Sequence, residues 1–237
     1  MKTLKVLSAL LSYPQPEMQA ALGEMADVLA KEHLLPTREY VALLALMNRL
    51  ASTALMELQE QYVATFDQGR ALSLYLFEHV HGESRDRGQA MVNLLEIYHQ
   101  HGFELSAREL PDYIPLFLEY LAQRPAGEAM DSLADAMPVM TLIGARLAER
   151  DHDYHVVFDA LVALAGEPAD IEDIRRQAAT EGPDQAVVNM DQIWEEEAVT
   201  FLATGREDCG VQREAGGAQP VQWVQRSGST QQPARSL

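Results

Sequence analysis

Apolar positions recur every three or four residues through most of the first two hundred, the spacing of amphipathic helices rather than strands. Residues 3–12 read as a short apolar helix ended by Pro14 and Pro16, and Glu17 to Lys31 as an Ala/Leu/Met/Glu helix of strong propensity. Pro36-Thr37 punctuates the chain, after which Leu43, Met47 and Leu50 share a face. Ser52-Thr53 offers an N-cap for the next helix, whose apolar positions are Leu55, Leu58, Tyr62 and Phe66. The period returns from Gln89 with Met91, Leu94, Leu95 and Tyr98, and Gly102 closes that helix. Ile114, Phe117, Leu118 and Leu121 form one stripe while Tyr113, Leu116 and Tyr120 form another, so this helix is expected in the middle of a bundle. Pro115 is tolerated only in a first turn, which puts the helix start near Asp112.

Ala129 to Glu149 has helical propensity, with Pro138 expected to end or kink it. Tyr154, Val157, Phe158, Leu161 and Ala165 mark another helix, stopped by Gly166 and Pro168. Residues 170–180 are charged and ambiguous, and Val187, Met190, Trp194, Ala198 and Phe201 form a last helical face. No stretch alternates apolar and polar, so no strand is expected. After Gly205 the chain is rich in Gly, Gln, Ser and Pro and shows no period. The pattern predicts an all-α, bundle-like domain over residues 1–205 and a disordered tail over 206–237.

One stretch departs from this repetition. Phe66 to Gly88 concentrates aromatics, histidines, paired charges and three glycines, Gly69, Gly82 and Gly88. It reads either as a connector that shapes the core or as a working face.

Charge narrows the function. The net charge is −18, lysine occurs only at Lys2, Lys5 and Lys31, and residues 206–237 carry +1 against −19 for the body. Such a surface argues against nucleic acid, whose binding needs Lys and Arg on phosphates, and against anionic membranes. It favours a basic partner, or serves solubility. Cys209 is the only cysteine, which leaves no internal disulfide and no cysteine cluster for zinc or iron–sulfur. No apolar run reaches the length of a membrane span, and the short N-terminal apolar run is followed by no cleavage site, so a cytoplasmic protein is expected.

Candidate chemistry is sparse. His79, His81 and Glu83 would face one way on an extended segment and suit a divalent metal, but their flanks read as helix, on which they diverge. Asp151 and His155 form a second i, i+4 pair, for which capping of the following helix by Asp151 or Asp153 is the simpler reading. His99 and His101 stand as cations at a helix end. No nucleophile elbow or phosphate loop is present. Arg85 and Arg87 stand out in an acidic body, either gripping a peptide or pairing with Glu78, Glu83 or Glu119. Asp112 and Glu119, with Tyr113 and Tyr120, could line a groove, or Asp112 could cap its own helix.

Two runs carry a resemblance: Asp67-Gln68-Gly69-Arg70, continuing through Leu74-Tyr75-Leu76-Phe77-Glu78-His79-Val80-His81-Gly82-Glu83-Ser84-Arg85-Asp86-Arg87-Gly88-Gln89-Ala90-Met91, and Arg108 to Leu121. Together they resemble the NarJ family, the delta subunits of respiratory nitrate reductase, which act as molybdenum cofactor assembly chaperones. The likeness extends more loosely to about residue 204 and includes Ile193-Trp194-Glu195-Glu196-Glu197. It implies an all-helical fold and no enzymatic activity or bound cofactor or metal of its own. It also implies cytoplasmic binding to the N-terminal segment of the immature nitrate reductase alpha subunit. Molybdenum cofactor and iron–sulfur insertion would be supported before membrane docking, with molybdenum cofactor delivery proteins as further partners and no place in the mature reductase. The implied client contacts are Tyr75, Phe77, Pro111, Tyr113 and Tyr120 as apolar surface, Asp112 and Glu119 as charge, and His79, Arg85 and Arg87 beside them. Where the family pattern often has His after Asp, this chain has Tyr113. The alternative is a helical metal-dependent enzyme using His79, His81 and Glu83.

Overall fold

The computed structural model describes residues 1–82, 84–105 and 109–181, together with the backbone of 223–225. The described part is all-α: α1 (Lys2–Leu11), α2 (Pro16–Glu32), α3 (Thr37–Ser52), α4 (Leu55–Tyr62), α5 (Leu76–His81), α6 (Arg85–Gln100), α7 (Ile114–Ala122), α8 (Ala126–Ala148), α9 (His155–Ala165) and α10 (Ile171–Thr180). The Gly166 stop and the Gly102 turn sit where expected, both with positive φ, +93° and +79°. The last expected helical face, 187–201, and the tail lie outside the described residues, apart from 223–225.

The α7 segment is buried over most of its surface, with Ile114, Pro115, Leu116, Phe117, Leu118, Tyr120 and Leu121 all in the core. It packs mainly on α1, whose Leu4, Leu7, Leu10 and Leu11 are fully enclosed. Pro115 falls in its first turn, where a missing N–H costs nothing. The α2 helix lies against α1 and α3, while α8 packs on α9 and α10. A Cβ at Gly144 of α8 would meet the Phe158 Cβ of α9 at 2.7 Å, so glycine sets how closely these two helices approach.

Several expectations are corrected. Pro138 sits inside α8 without ending it, with its ring at an exposed position. Ser52 and Thr53 do not cap α4: both hydroxyls donate back to the Arg49 carbonyl (3.0 and 2.9 Å) and finish α3. No side chain caps α9, because Asp153 pairs instead with Arg49 of α3, and Asp151 takes a left-handed turn with φ 50°. The ambiguous 170–180 segment is helical and buries Ile171, Ile174 and Ala178. A short strand, β1 (Phe103–Leu105), does form and pairs antiparallel with β2 (Trp223–Gln225). At three residues each, these strands are too short to show alternation.

Phe66 to Gly88 is not a bare connector. The α4 helix widens into a π-helical turn, Val63–Asp67, that buries Phe66 against Tyr62 and Tyr154. Farther on, Leu74 to Phe77 is clasped to the α7 entry. The Leu76 amide donates to the Asp112 carbonyl (3.0 Å), and the Ile114 amide donates to the Leu74 carbonyl (2.8 Å). Tyr75 and Tyr113 form an antiparallel bridge between them.

Candidate functional site

The two motif runs thus meet at this clasp, and beside it a groove of about 640 Å³, lined by the second run and by none of the described residues of the first, opens between α1, α2 and α7. Tyr13, Met18, Met25, Tyr113 and Leu116 are among its lining residues, and Glu17, Glu109, Glu119 and Lys5 also line it. Its apolar walls arise because α1 and α7 spend their buried faces on each other while α2 carries Met18 and Met25 one heptad apart, on the same side. Carboxylates outnumber the one lysine.

A ladder of tyrosines underlies it. The Tyr62 hydroxyl donates to the Leu11 carbonyl (2.9 Å) and lies 2.8 Å from the Tyr113 hydroxyl. Tyr113 stacks obliquely on Tyr75 at 5.4 Å, and the Tyr75 hydroxyl donates to Glu109 (2.8 Å). Burial, and for Tyr75 the neighbouring Glu109 carboxylate, push both phenols far above their ordinary range, so they act as neutral hydrogen-bonding groups at any physiological pH. Glu119 is half-buried with its carboxylate 3.9 Å from Lys5. Burial raises its pKa and Lys5 opposes that only partly, so the groove carries a carboxylate whose ionised form is short of solvation.

The remaining expected site residues divide into two groups. Asp112 is fully buried, and its Oδ2 accepts from the Phe77 amide (3.0 Å), so it caps α5 across the clasp rather than capping α7 or facing solvent. Pro111 gives its carbonyl to the Tyr98 hydroxyl (2.8 Å). Tyr120 is 4% exposed, packed on Tyr98 and Phe103, with its hydroxyl on His101 Nδ1. Phe77 is half-buried against His81 at 5.8 Å. These four shape the groove's support.

His79 and Arg87 instead line a separate, polar notch, and Arg85 is exposed at the start of α6. The extended geometry needed for a His79/His81/Glu83 metal set is not adopted: both histidines are on α5, and Glu83 lies outside the described residues. His79 Nε2 donates to the Ser73 carbonyl (2.8 Å), which leaves Nδ1 as acceptor for Arg146 at 3.3 Å. Burial lowers the His79 pKa, the Ser73 carbonyl opposes this, and Arg146 lowers it further, so the ring is neutral near pH 7. Among the described residues no group of three or more His, Cys, Asp and Glu is placed to hold a metal ion.

Sequence reasoning missed Tyr13, Met18, Met25 and Glu109. Tyr13-Pro14 was visible only as a helix stop, and the methionine pair was a signal, at i and i+7, that helix propensity alone overlooks.

Comparison with known proteins adds independent findings. A profile of the family described as nitrate reductase delta subunit matches residues 14–160. The nitrate reductase molybdenum cofactor assembly chaperone NarJ of Escherichia coli (strain K12) is 45% identical over 207 residues, 87% of each chain. The protein named NarW in the same strain is 39% identical over 88% of this chain and 87% of its own. NarJ of Bacillus subtilis (strain 168) is 32% identical over 78% of this chain and 96% of its own.

Proposed function

The chain belongs to the nitrate reductase delta subunit family, and on that premise we propose that it is an assembly chaperone for nitrate reductase, holding the immature catalytic subunit while its molybdenum cofactor is inserted. The groove between α1, α2 and α7 receives an N-terminal segment of that subunit in helical form. The apolar face of the segment lies against Met18, Met25, Tyr113 and Leu116, and its basic residues meet Glu17, Glu109 and Glu119. Iron–sulfur insertion is supported in the same bound state, in the cytoplasm, before the enzyme joins its membrane partner. The chaperone contributes binding, not catalysis.

One observation carries this reading: an apolar groove rimmed by carboxylates, in a chain of net charge −18. Apolar contact supplies affinity, while the acidic rim selects basic segments and speeds encounter. None of the described helices is long and apolar enough to cross a membrane, in keeping with a protein that visits its client and leaves.

The test is a calorimetric titration of the full chain with a synthetic peptide of the catalytic subunit's N-terminus, at low and high salt. Saturable binding that weakens with salt is expected, because rim charges are screened beyond about 10 Å at 0.1 M. Ala21→Trp, which fills the groove from half-exposed α2, should weaken it about tenfold or more, and Glu119→Gln by less. Absence of binding, or affinity indifferent to Ala21→Trp, would remove the groove from the mechanism.

A further inference from the structure

The polar notch that takes His79 and Arg87 is independent of the groove. It has a volume of about 360 Å³ and is lined by Arg70, His79, Arg87, Arg146, Glu78 and Gln177, among others. Three arginines facing one small space are unexpected in a body of net charge −19.

Arg146 is the organised member. Its Nη1 donates to the Ala71 carbonyl (2.8 Å) and to His79 Nδ1 (3.3 Å), and these two acceptors fix the plane of the guanidinium. The Nε and Nη2 fork remains, and the chain fills it with its own carboxylate: Glu181, just past α10, receives both bonds, the Nη2 one at 2.7 Å. Gln177 steadies the same carboxylate at 3.0 Å. Arg87 has a buried Nε without a hydrogen-bond partner. Opposing charge comes from Glu78, which lies 3.9 Å from Arg70 and accepts from Ser73 (2.6 Å), and from buried Asp112, which feels the Arg87 charge.

We propose that this notch is a binding site for the phosphate group of a small molecule, with Glu181 as the internal stopper that such a ligand displaces. A planar guanidinium held from behind and presenting a two-bond fork is the arrangement that recognises carboxylate and phosphate alike. Phosphate is the one that fits here. Glu181 is tethered, so its effective concentration defeats any free single carboxylate that offers the same two bonds. A phosphate brings up to twice the charge and more acceptor oxygens, enough to reach Arg87 as well as Arg146. The notch has room for that group and part of what carries it. Occupancy and the Arg146–Glu181 pair exclude each other, so binding frees the Glu181 carboxylate from Arg146 of α8.

Calorimetry of the full chain with inorganic phosphate, inorganic pyrophosphate and acetate tests this. Saturable binding of phosphate or pyrophosphate is expected, with acetate inert. Glu181→Gln, which removes the competing charge, should tighten binding about threefold or more, and Arg146→Gln should weaken it about tenfold. Arg87→Gln loses affinity too, and because it leaves the Arg146 bonds to the Ala71 carbonyl and Glu181 in place, it serves where Arg146→Gln disturbs folding as seen by circular dichroism. No saturable heat with either the native chain or Glu181→Gln at millimolar pyrophosphate would overturn the proposal. So would acetate binding as well as phosphate, or affinity unchanged in both arginine variants.

Discussion

Asp112 shows how a single side chain can govern a site from inside. Its Oδ2 satisfies the Phe77 amide at the start of α5, while its own carbonyl takes the Leu76 amide, so one residue ties both motif runs together. Burial raises its pKa, against which the Phe77 amide and the nearby Arg87 pull downward. Asp112→Ala should cost about 1–3 kcal/mol, the penalty of leaving a buried amide unpaired, read as a lowered thermal midpoint. Asp112→Asn keeps an acceptor oxygen and removes a poorly solvated charge, so it should stay within about 1 kcal/mol of the native chain. Charge and spacing made Asp112 stand out in the sequence as a groove acid or a helix cap, and the family resemblance then pointed to a client-facing acid. Whether a carboxylate faces a ligand or a backbone amide depends on a partner 35 residues away, and local pattern does not contain that distance. Glu119, chosen on the same grounds, does line the groove, because its neighbours on α7 are spent on α1 and it falls on the side left over.

At the scale of elements, apolar periodicity and, for α2 and α8, helix propensity placed seven helices close to their observed spans, since burial of a stripe is itself what makes most such helices stable. Elements stabilised by something other than their own stripe were harder to read. The α5 helix has six residues and depends on the Asp112 cap, and α6 begins at a Ser84 cap whose hydroxyl takes the Asp86 amide (3.1 Å), four residues before its apolar period shows. The charged look of α10 hid three apolar residues on one face. Close approach is equally silent in a sequence. Gly144 permits the α8–α9 crossing because its missing Cβ is the space Phe158 occupies. Gly144→Ala would place a methyl 2.7 Å from the Phe158 Cβ, a contact that backbone must move to relieve. It should destabilise the domain by about 1–3 kcal/mol in chemical denaturation despite the better helix propensity of alanine.

For the whole molecule, acidity and architecture meet at α1. The Glu32 carboxylate at the end of α2 accepts from the amides of Lys2 and Thr3 (2.8 and 2.7 Å) and from the Thr3 hydroxyl, capping α1 from another helix. Burial alone would raise its pKa, but these bonds outweigh that and hold it below the ordinary range. Glu181 is likewise lowered, chiefly by Arg146. A carboxylate whose folded pKa is depressed stabilises fully above its unfolded pKa, and that contribution fades as pH falls through the folded value. Glu32→Gln should therefore be about 1 kcal/mol less stable than the native chain at neutral pH. The gap should close as both are titrated down through the carboxylate range, which thermal melts at a series of pH values would record. The helix that Glu32 caps finds its main cover in α7, where the Ser8 hydroxyl donates to the Pro115 carbonyl 107 residues downstream. On the ribosome, at about 5–20 residues per second, that cover arrives roughly 5–20 s after α1 is made. Through that interval Leu4, Leu7 and Leu11 lack the main part of their cover, so a protein proposed to shelter another's unfinished surface begins its own life with one exposed.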